Sequence, residues 1–226
     1  MSTAQYDVLI LGRDGAGQGR ADNGTSYSKP ARTRDASCVW GGGFCENSGD
    51  RGRDGGNGTN GAEGRDGGSG QDARPLVLTI GELTGTLTVS SRGGAGGKGG
   101  DGGLGGNGAE GGDGGNGTTC GLIGCDPGDG GNGGNGGAGG RGGNGGNGAY
   151  GGESQIFYKP AAGNGEVLAY PDQSAGGGRG EGGRGGNGSA GGRGKTPGKN
   201  GDKGTDGVPG NPGNPGAKGI INVSPM

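Results

Sequence analysis

Residues 130–147 read Gly-Gly-Asn-Gly-Gly-Asn-Gly-Gly-Ala-Gly-Gly-Arg-Gly-Gly-Asn-Gly-Gly-Asn. Glycine stands at every third position and a second glycine follows it, so one residue in three carries a side chain. The same three-residue register runs unbroken from Gly130 to Gly151, from Gly93 to Gly117, from Gly52 to Gly70, from Gly182 to Gly194 and from Gly198 to Gly219. An α-helix repeats every 3.6 residues and a strand every 2, so neither accounts for a period of three. A polyproline-II-like helix does, with 3 residues per turn and a rise of about 3.1 Å. One side of such a helix is then bare glycine, which lets a neighbouring backbone come close. The helix has no internal hydrogen bonds, so its amides must pair with neighbours or with water.

Composition points the same way. Of 226 residues, 76 are glycine, and Leu, Ile, Val and Phe together number 24. That is too little apolar mass for an ordinary side-chain core, which excludes Rossmann, barrel and helix-bundle architectures. Glycine at this level also opposes α-helix. Disorder would be the default reading of such a composition, but a flexible linker has no reason to hold a register this long. A collagen trimer needs far more proline than the 10 present; only 207–215, Gly-Val-Pro-Gly-Asn-Pro-Gly-Asn-Pro, looks collagen-like. The favoured expectation is a single-chain bundle. Runs with two glycines per turn suit inner helices, and runs with mostly one suit the outside.

Apolar residues gather in short β-like runs, giving expected platform segments at 5–11, 76–90, 155–170 and 219–223. Residues 76–80 and 86–90, and likewise 155–158 and 166–170, read as β-hairpins. Between these segments lie three glycine-rich excursions, 12–74, 92–152 and 174–218, broken near 21–49, 118–129 and 195–197. The expected fold is therefore mostly irregular and polyproline-II-like, with almost no α-helix. About six polyglycine-II helices form three hairpins on a small β platform, as one elongated domain spanning 1–226. Arms of 25 and 22 residues would reach about 70–75 Å at ~3.1 Å per residue.

The Gly-Gly-X runs, 130–147 above all, resemble those of springtail antifreeze proteins. They are also similar to the glycine-rich adhesin of T-even-type phage long tail fibres and to the glycine-rich domain of Obg-type GTPases. The resemblance covers the glycine runs and implies a polyglycine-II bundle; it implies no particular function.

Two breaks carry the cysteines. Cys38-Val-Trp-Gly-Gly-Gly-Phe-Cys45 holds the only tryptophan, and Cys120-Gly-Leu-Ile-Gly-Cys125 repeats the device. Tyr27, Val39, Trp40, Phe44, Leu122 and Ile123 are the candidate binding residues of the tip loops, since exposed aromatics are typical anchors. The competing role for Trp40 is to cap the bundle end. Local disulfides 38–45 and 120–125 are expected, while pairing between the two loops stays open because both tips lie at one end. Disulfides suit an extracellular, periplasmic or virion setting. A four-thiolate metal site is the competing idea, but the gaps of six and four residues are not the usual two to four on both sides.

Net charge is −2 and there is no histidine, which removes the usual general base and any bulk attraction to nucleic acid. The Arg-containing stretch 176–193 is similar to RGG segments but lacks interleaved aromatics to stack bases. No window is apolar enough to cross a membrane, and Met1 to Asp7 has no export-signal pattern. An ice-binding face is expected to be flat and uncharged, whereas charges such as Lys98, Asp101 and Arg141 interrupt the side-chain rows.

The expectation is a non-enzymatic, extracellular or virion-associated rod without cofactor or metal. Its loops would meet a protein or cell-surface receptor. Its platform would dock a carrier or further copies through the edges at Val8, Ile10, Ile220 and Val223. The alternatives are a structural filament subunit and, less favoured, an antifreeze protein.

Overall fold

The computed structural model describes residues 6–41 and 43–226, with the side chains of 162 and 163 outside that description. The first residue of the expected segment 5–11 therefore lies outside the described residues. Among the described residues there is no α-helix. The glycine-rich stretches are six extended segments, here s1 (12–36), s2 (48–75), s3 (93–117), s4 (126–152), s5 (172–193) and s6 (197–219), joined by hydrogen bonds every third residue.

The bonding pattern places each segment. Main-chain N–H groups of s1 donate to s3 in parallel, from Gly12 to Arg92 O (2.9 Å) through to Ala36 to Asn116 O (2.8 Å). In the same parallel sense s2 donates to s4, s3 to s5 and s4 to s6. Consecutive segments run antiparallel: Gly103 donates to Ala62 O, Gly140 to Gly103 O, Gly183 to Gly140 O and Gly207 to Gly183 O, all at 2.7–2.8 Å. Segments s1, s3 and s5 thus form one row and s2, s4 and s6 another. The central members s3 and s4 bond to four neighbours each. These are the runs with two glycines per turn, and two of every three positions in s3 are buried over most of its length.

Close approach is the reason glycine is obligatory there. A Cβ on Gly103 would collide with Asp22 O and one on Gly140 with Ala62 O, whereas Gly19 has open space. Ala109 breaks the pattern and is still buried. Around it the s1–s3 ladder has no main-chain bonds between Gly24 and Thr33.

A second set of rungs uses side chains. Oδ1 of Asp54, Asn57, Asn60, Asp66 and Asp72 on s2 accepts main-chain N–H groups of s4 at 2.6–2.8 Å. Asn132, Asn135, Asn144 and Asn147 on s4 do the same for s6, and Asp129 for Thr196 just before it. Asp14, Asn23 and Asp35 serve s1 to s3, and Asp101, Asn107 and Asp113 serve s3 to s5. The asparagine-rich repeat is therefore a bonding device: each short side chain satisfies an amide that the main-chain ladder leaves over.

The first break is shorter than expected. After the gap the ladder resumes at Thr33 and Ala36, and Pro30, Thr33 and Ala36 are half-buried at every third position in place of glycine, while Tyr27 is exposed. At the edge of the assembly s1 has neighbours on one side only, so side chains are tolerated there.

The platform is one sheet of four parallel strands in the order β1-β4-β7-β8: β1 Val8–Leu11, β4 Leu76–Arg92, β7 Glu153–Pro171 and β8 Ile220–Pro225. The expected hairpins at 76–90 and 155–170 are not formed. Instead β4 and β7 pair in parallel along their whole length, from Leu76↔Ser154 to Ser91↔Pro171. Yet Gly94 bonds to Gln71, so the chain reverses within β4. Each strand is thus an arch bent near Gly81–Gly85 or Lys159–Gly165, where the register shifts, and the arch bonds to its neighbour instead of to itself. β1 pairs with the last residues of β4 (Val8↔Val89) and β8 with the first of β7 (Glu153↔Ile220). Val89 and Ile156 are fully buried.

Candidate functional site at the linked loop end

Opposite the platform, two short hairpins close the first two segment pairs. β2 (Ser37–Cys38) pairs antiparallel with β3 (Cys45–Asn47), and β5 (Thr118–Cys120) with β6 (Ile123–Cys125). Tight turns need left-handed residues, supplied by Gly41 (φ 96°) and Gly121 (φ 65°). Val39 N–H donates to Phe44 O at 3.1 Å, and Ser37 Oγ donates to Glu46 Oε2 at 3.2 Å. The turns stand side by side: a Cβ on Gly121 would meet Gly43 Cα at 3.4 Å.

Disulfides run between the hairpins. Cys38 bonds Cys120 and Cys45 bonds Cys125, over sequence separations of 82 and 80. This is the cross-linked alternative and not the local 38–45 and 120–125 pairing. The reason is that s1 and s3 are parallel neighbours and finish together, so β2 faces β5 and β3 faces β6.

This linkage holds an apolar group in water. Trp40 is 101% exposed and Leu122 102%; Phe44, Val39 and Ile123 are also exposed. Trp40 therefore does not pack over the segment ends as a cap. Tyr27 does not belong with them: it lies along s1 beside Gly56, before the hairpin begins. Beside the second hairpin Lys195 Nζ donates to Asp126 Oδ2 at 2.9 Å, and Thr196 N–H to Asp129 Oδ1 at 2.9 Å. The Asp126 carboxylate holds the Lys195 ammonium above its ordinary pKa. The third connection, 194–196, is thus a charged rim to the apolar tip, which the four-residue glycine step at Lys195-Thr-Pro197 did not reveal.

At the other end, Val8, Ile10 and Val223 are half-buried, facing inward, while Leu9, Leu11 and Ile220 are exposed. β1 and β8 each have one strand neighbour. No helix of the described residues is long and apolar enough to cross a membrane.

No family model and no curated protein matches the chain. Among solved structures, the chain is similar in sequence to the springtail antifreeze protein from Granisotoma rainieri, a nine polyproline type II helical bundle, at 28% identity over 93% of this chain and 97% of that one. The TM-score is 0.10, so the two do not superpose, and nothing of fold or function is carried over from it.

Proposed function

We propose that the protein is a rigid scaffold, not an enzyme, whose six segments are polyglycine-II helices packed as a two-row bundle, and that it presents the paired hairpins to a protein partner on a cell surface. The observation that carries this reading is the solvent exposure of Trp40, Leu122 and Phe44 on hairpins joined by two disulfides. Apolar side chains held out in water on a fixed frame are the usual signature of a docking patch. A rigid frame also loses little conformational freedom on docking. An extracellular or virion setting agrees with the disulfides.

The test is attachment of fluorescently labelled protein to a panel of bacterial and animal cells. The expected result is saturable attachment to at least one cell type, reduced at least tenfold in a Trp40→Ser/Leu122→Ser variant of unchanged melting temperature. Attachment equal in both proteins, or to no cell type, removes the reading.

A second reading is favoured by the platform edges. β1 and β8 keep one unpaired side each, and Leu9, Leu11 and Ile220 face water there. Open edges pair with other chains, so the second reading is a structural subunit that assembles edge to edge. Light scattering across a concentration series checks it: a mass that climbs with concentration, and falls back in Leu9→Lys/Ile220→Lys, supports it, while a constant 21.2 kDa removes it.

A further inference from the structure

The four cysteines do more than form two separate links. Cys38 and Cys45 are cross-strand partners at the mouth of the first hairpin, and Cys120 and Cys125 end the strands of the second. The loop between Cys38 and Cys45 swings outward, carrying Trp40 and Phe44 into water, so a six-residue gap still returns the two cysteines to facing positions. Two turns, each opened by a left-handed glycine, bring Cys38, Cys120 and Cys125 together, with Cys45 bonded to Cys125 beside them. Sγ atoms of Cys38, Cys120 and Cys125 all lie within 4.8 Å of one another, and Cys45 is bonded to Cys125. Cys120 Sγ and Cys125 Sγ, which share no bond, are 3.2 Å apart. In a tetrahedral zinc–thiolate site with metal–sulfur bonds of about 2.3 Å the sulfurs stand about 3.8 Å apart, so three of the sulfurs already stand near that spacing, and Cys45, bonded to Cys125, completes the set by a shift of its side chain once the disulfides open.

We propose that the reduced protein binds one thiophilic divalent cation of the Zn2+ type through Cys38, Cys45, Cys120 and Cys125, so that the loop end has a disulfide-linked and a metal-linked form. Four thiolates and no histidine make a soft donor set, which selects zinc over magnesium or calcium. Cys120 and Cys125 are buried, at 2% and 4% exposure, so a bound ion would be shielded on the side facing the segments. The chemistry balances. Each disulfide takes two electrons and two protons from a dithiol, which is itself oxidised to a disulfide. The four resulting thiols release four protons as their sulfurs bond to one Zn2+, leaving a centre of net charge −2. Metal and disulfide exclude each other, because the metal ligand is the thiolate, and a sulfur held in a disulfide is neutral and a poor donor.

The experiment uses the full chain, reduced under argon with a water-soluble phosphine, which is oxidised to its oxide as the disulfides open. It is then titrated with Co2+ as the spectroscopic probe. The expected result is saturation at one Co2+ per chain with sulfur-to-cobalt charge transfer and the visible bands of tetrahedral cobalt, reversed by Zn2+. The oxidised protein takes up none, and Cys45→Ser weakens binding at least tenfold. Binding of less than half an equivalent by the reduced protein, an octahedral cobalt spectrum, or equal binding by the variant with all four cysteines changed to serine overturns the proposal. Should reduction open the segment ladder, circular dichroism gives the second reading. Zn2+ restores the folded signal in the wild-type chain and not in the four-serine variant; no restoration also overturns it.

Discussion

Asn57 and Asn135, 78 residues apart in sequence, are joined by a 2.8 Å hydrogen bond from the Asn135 main-chain N–H to Asn57 Oδ1. Asn135 repeats the act: its own Oδ1 accepts the Asp202 main-chain N–H at 2.8 Å. Short Asn and Asp side chains thereby stitch s2, s4 and s6 into a row, without contributing to any apolar core. Asn135→Ala removes the acceptor for Asp202 and should destabilise by about 1 kcal/mol. Asn135→Asp keeps the acceptor and should change stability by less than half as much. Thermal unfolding of the two variants in parallel checks this, and equal losses would remove the rung as a stabilising device.

Glycine positions should divide sharply by register. Gly103→Ala drives a methyl group into Asp22 O, against backbone that is held by bonds on every side. A loss of about 3 kcal/mol is expected. Gly19→Ala meets nothing and should stay within about 0.5 kcal/mol of the parent. Denaturant midpoints of the pair measure the difference.

Acid should loosen the rows before it affects the platform core. The Asp54 carboxyl is held below its ordinary pKa of 3.8 first by the Asn132 N–H that it accepts, then by Arg51. Asp101 is lowered by the Glu181 N–H and Lys98, and Asp113 by the Arg193 N–H and Lys29. A depressed folded pKa contributes stability that is fully present above the unfolded value and is lost as pH falls through the folded one. Melting temperature should therefore hold down to about pH 5 and drop below about pH 4. The triple variant Asp54→Asn/Asp101→Asn/Asp113→Asn keeps the acceptor oxygens and should flatten that drop. An unchanged acid limb would mean that other carboxylates set it.

Trp40 offers a direct optical check on the loop end. Full exposure predicts red-shifted emission with near-complete quenching by iodide, in the folded and the denatured protein alike. A blue-shifted, protected fluorophore would show that Trp40 packs against the segments, and the docking reading would lose its carrier.

The period of three was legible because close backbone contact admits one residue type, and that constraint is written at every third position. The two-glycine runs of s3 and s4 marked the members with four neighbours for the same reason. What stayed hidden depends on partners far along the chain. Leu76–Ile80 and Thr86–Ser90 look like hairpin arms locally, but each bonds to β7, about 80 residues away, and no local pattern records that preference. The pairing of Cys38 with Cys120 follows from s1 and s3 ending together, which spacing alone cannot give. Residues 21–36 looked like a loop because edge position relaxes the glycine rule. The aspartates and asparagines of the repeat can be read off the sequence, but their role as acceptors for neighbouring segments cannot. The partners of Asp14, Asn57 and Asn135, for example, lie 67–81 residues away.

The register of the ladder also restricts how such a chain can change length. Adding one residue inside s3 would turn every later side chain of that segment into a neighbour's backbone, and two would do the same. Three would restore the facing of each residue but leave s3 one hydrogen-bond repeat longer than the four segments bonded to it. Length is therefore altered without penalty only in steps of three residues and in all adjoining segments together. The same lattice leaves the loops at 37–47, 118–125 and 194–196 free to vary residue by residue. Inheritance in this fold is expected to be coarse along the frame and fine at its end, with single-codon changes of length tolerated in the loops and not in the segments.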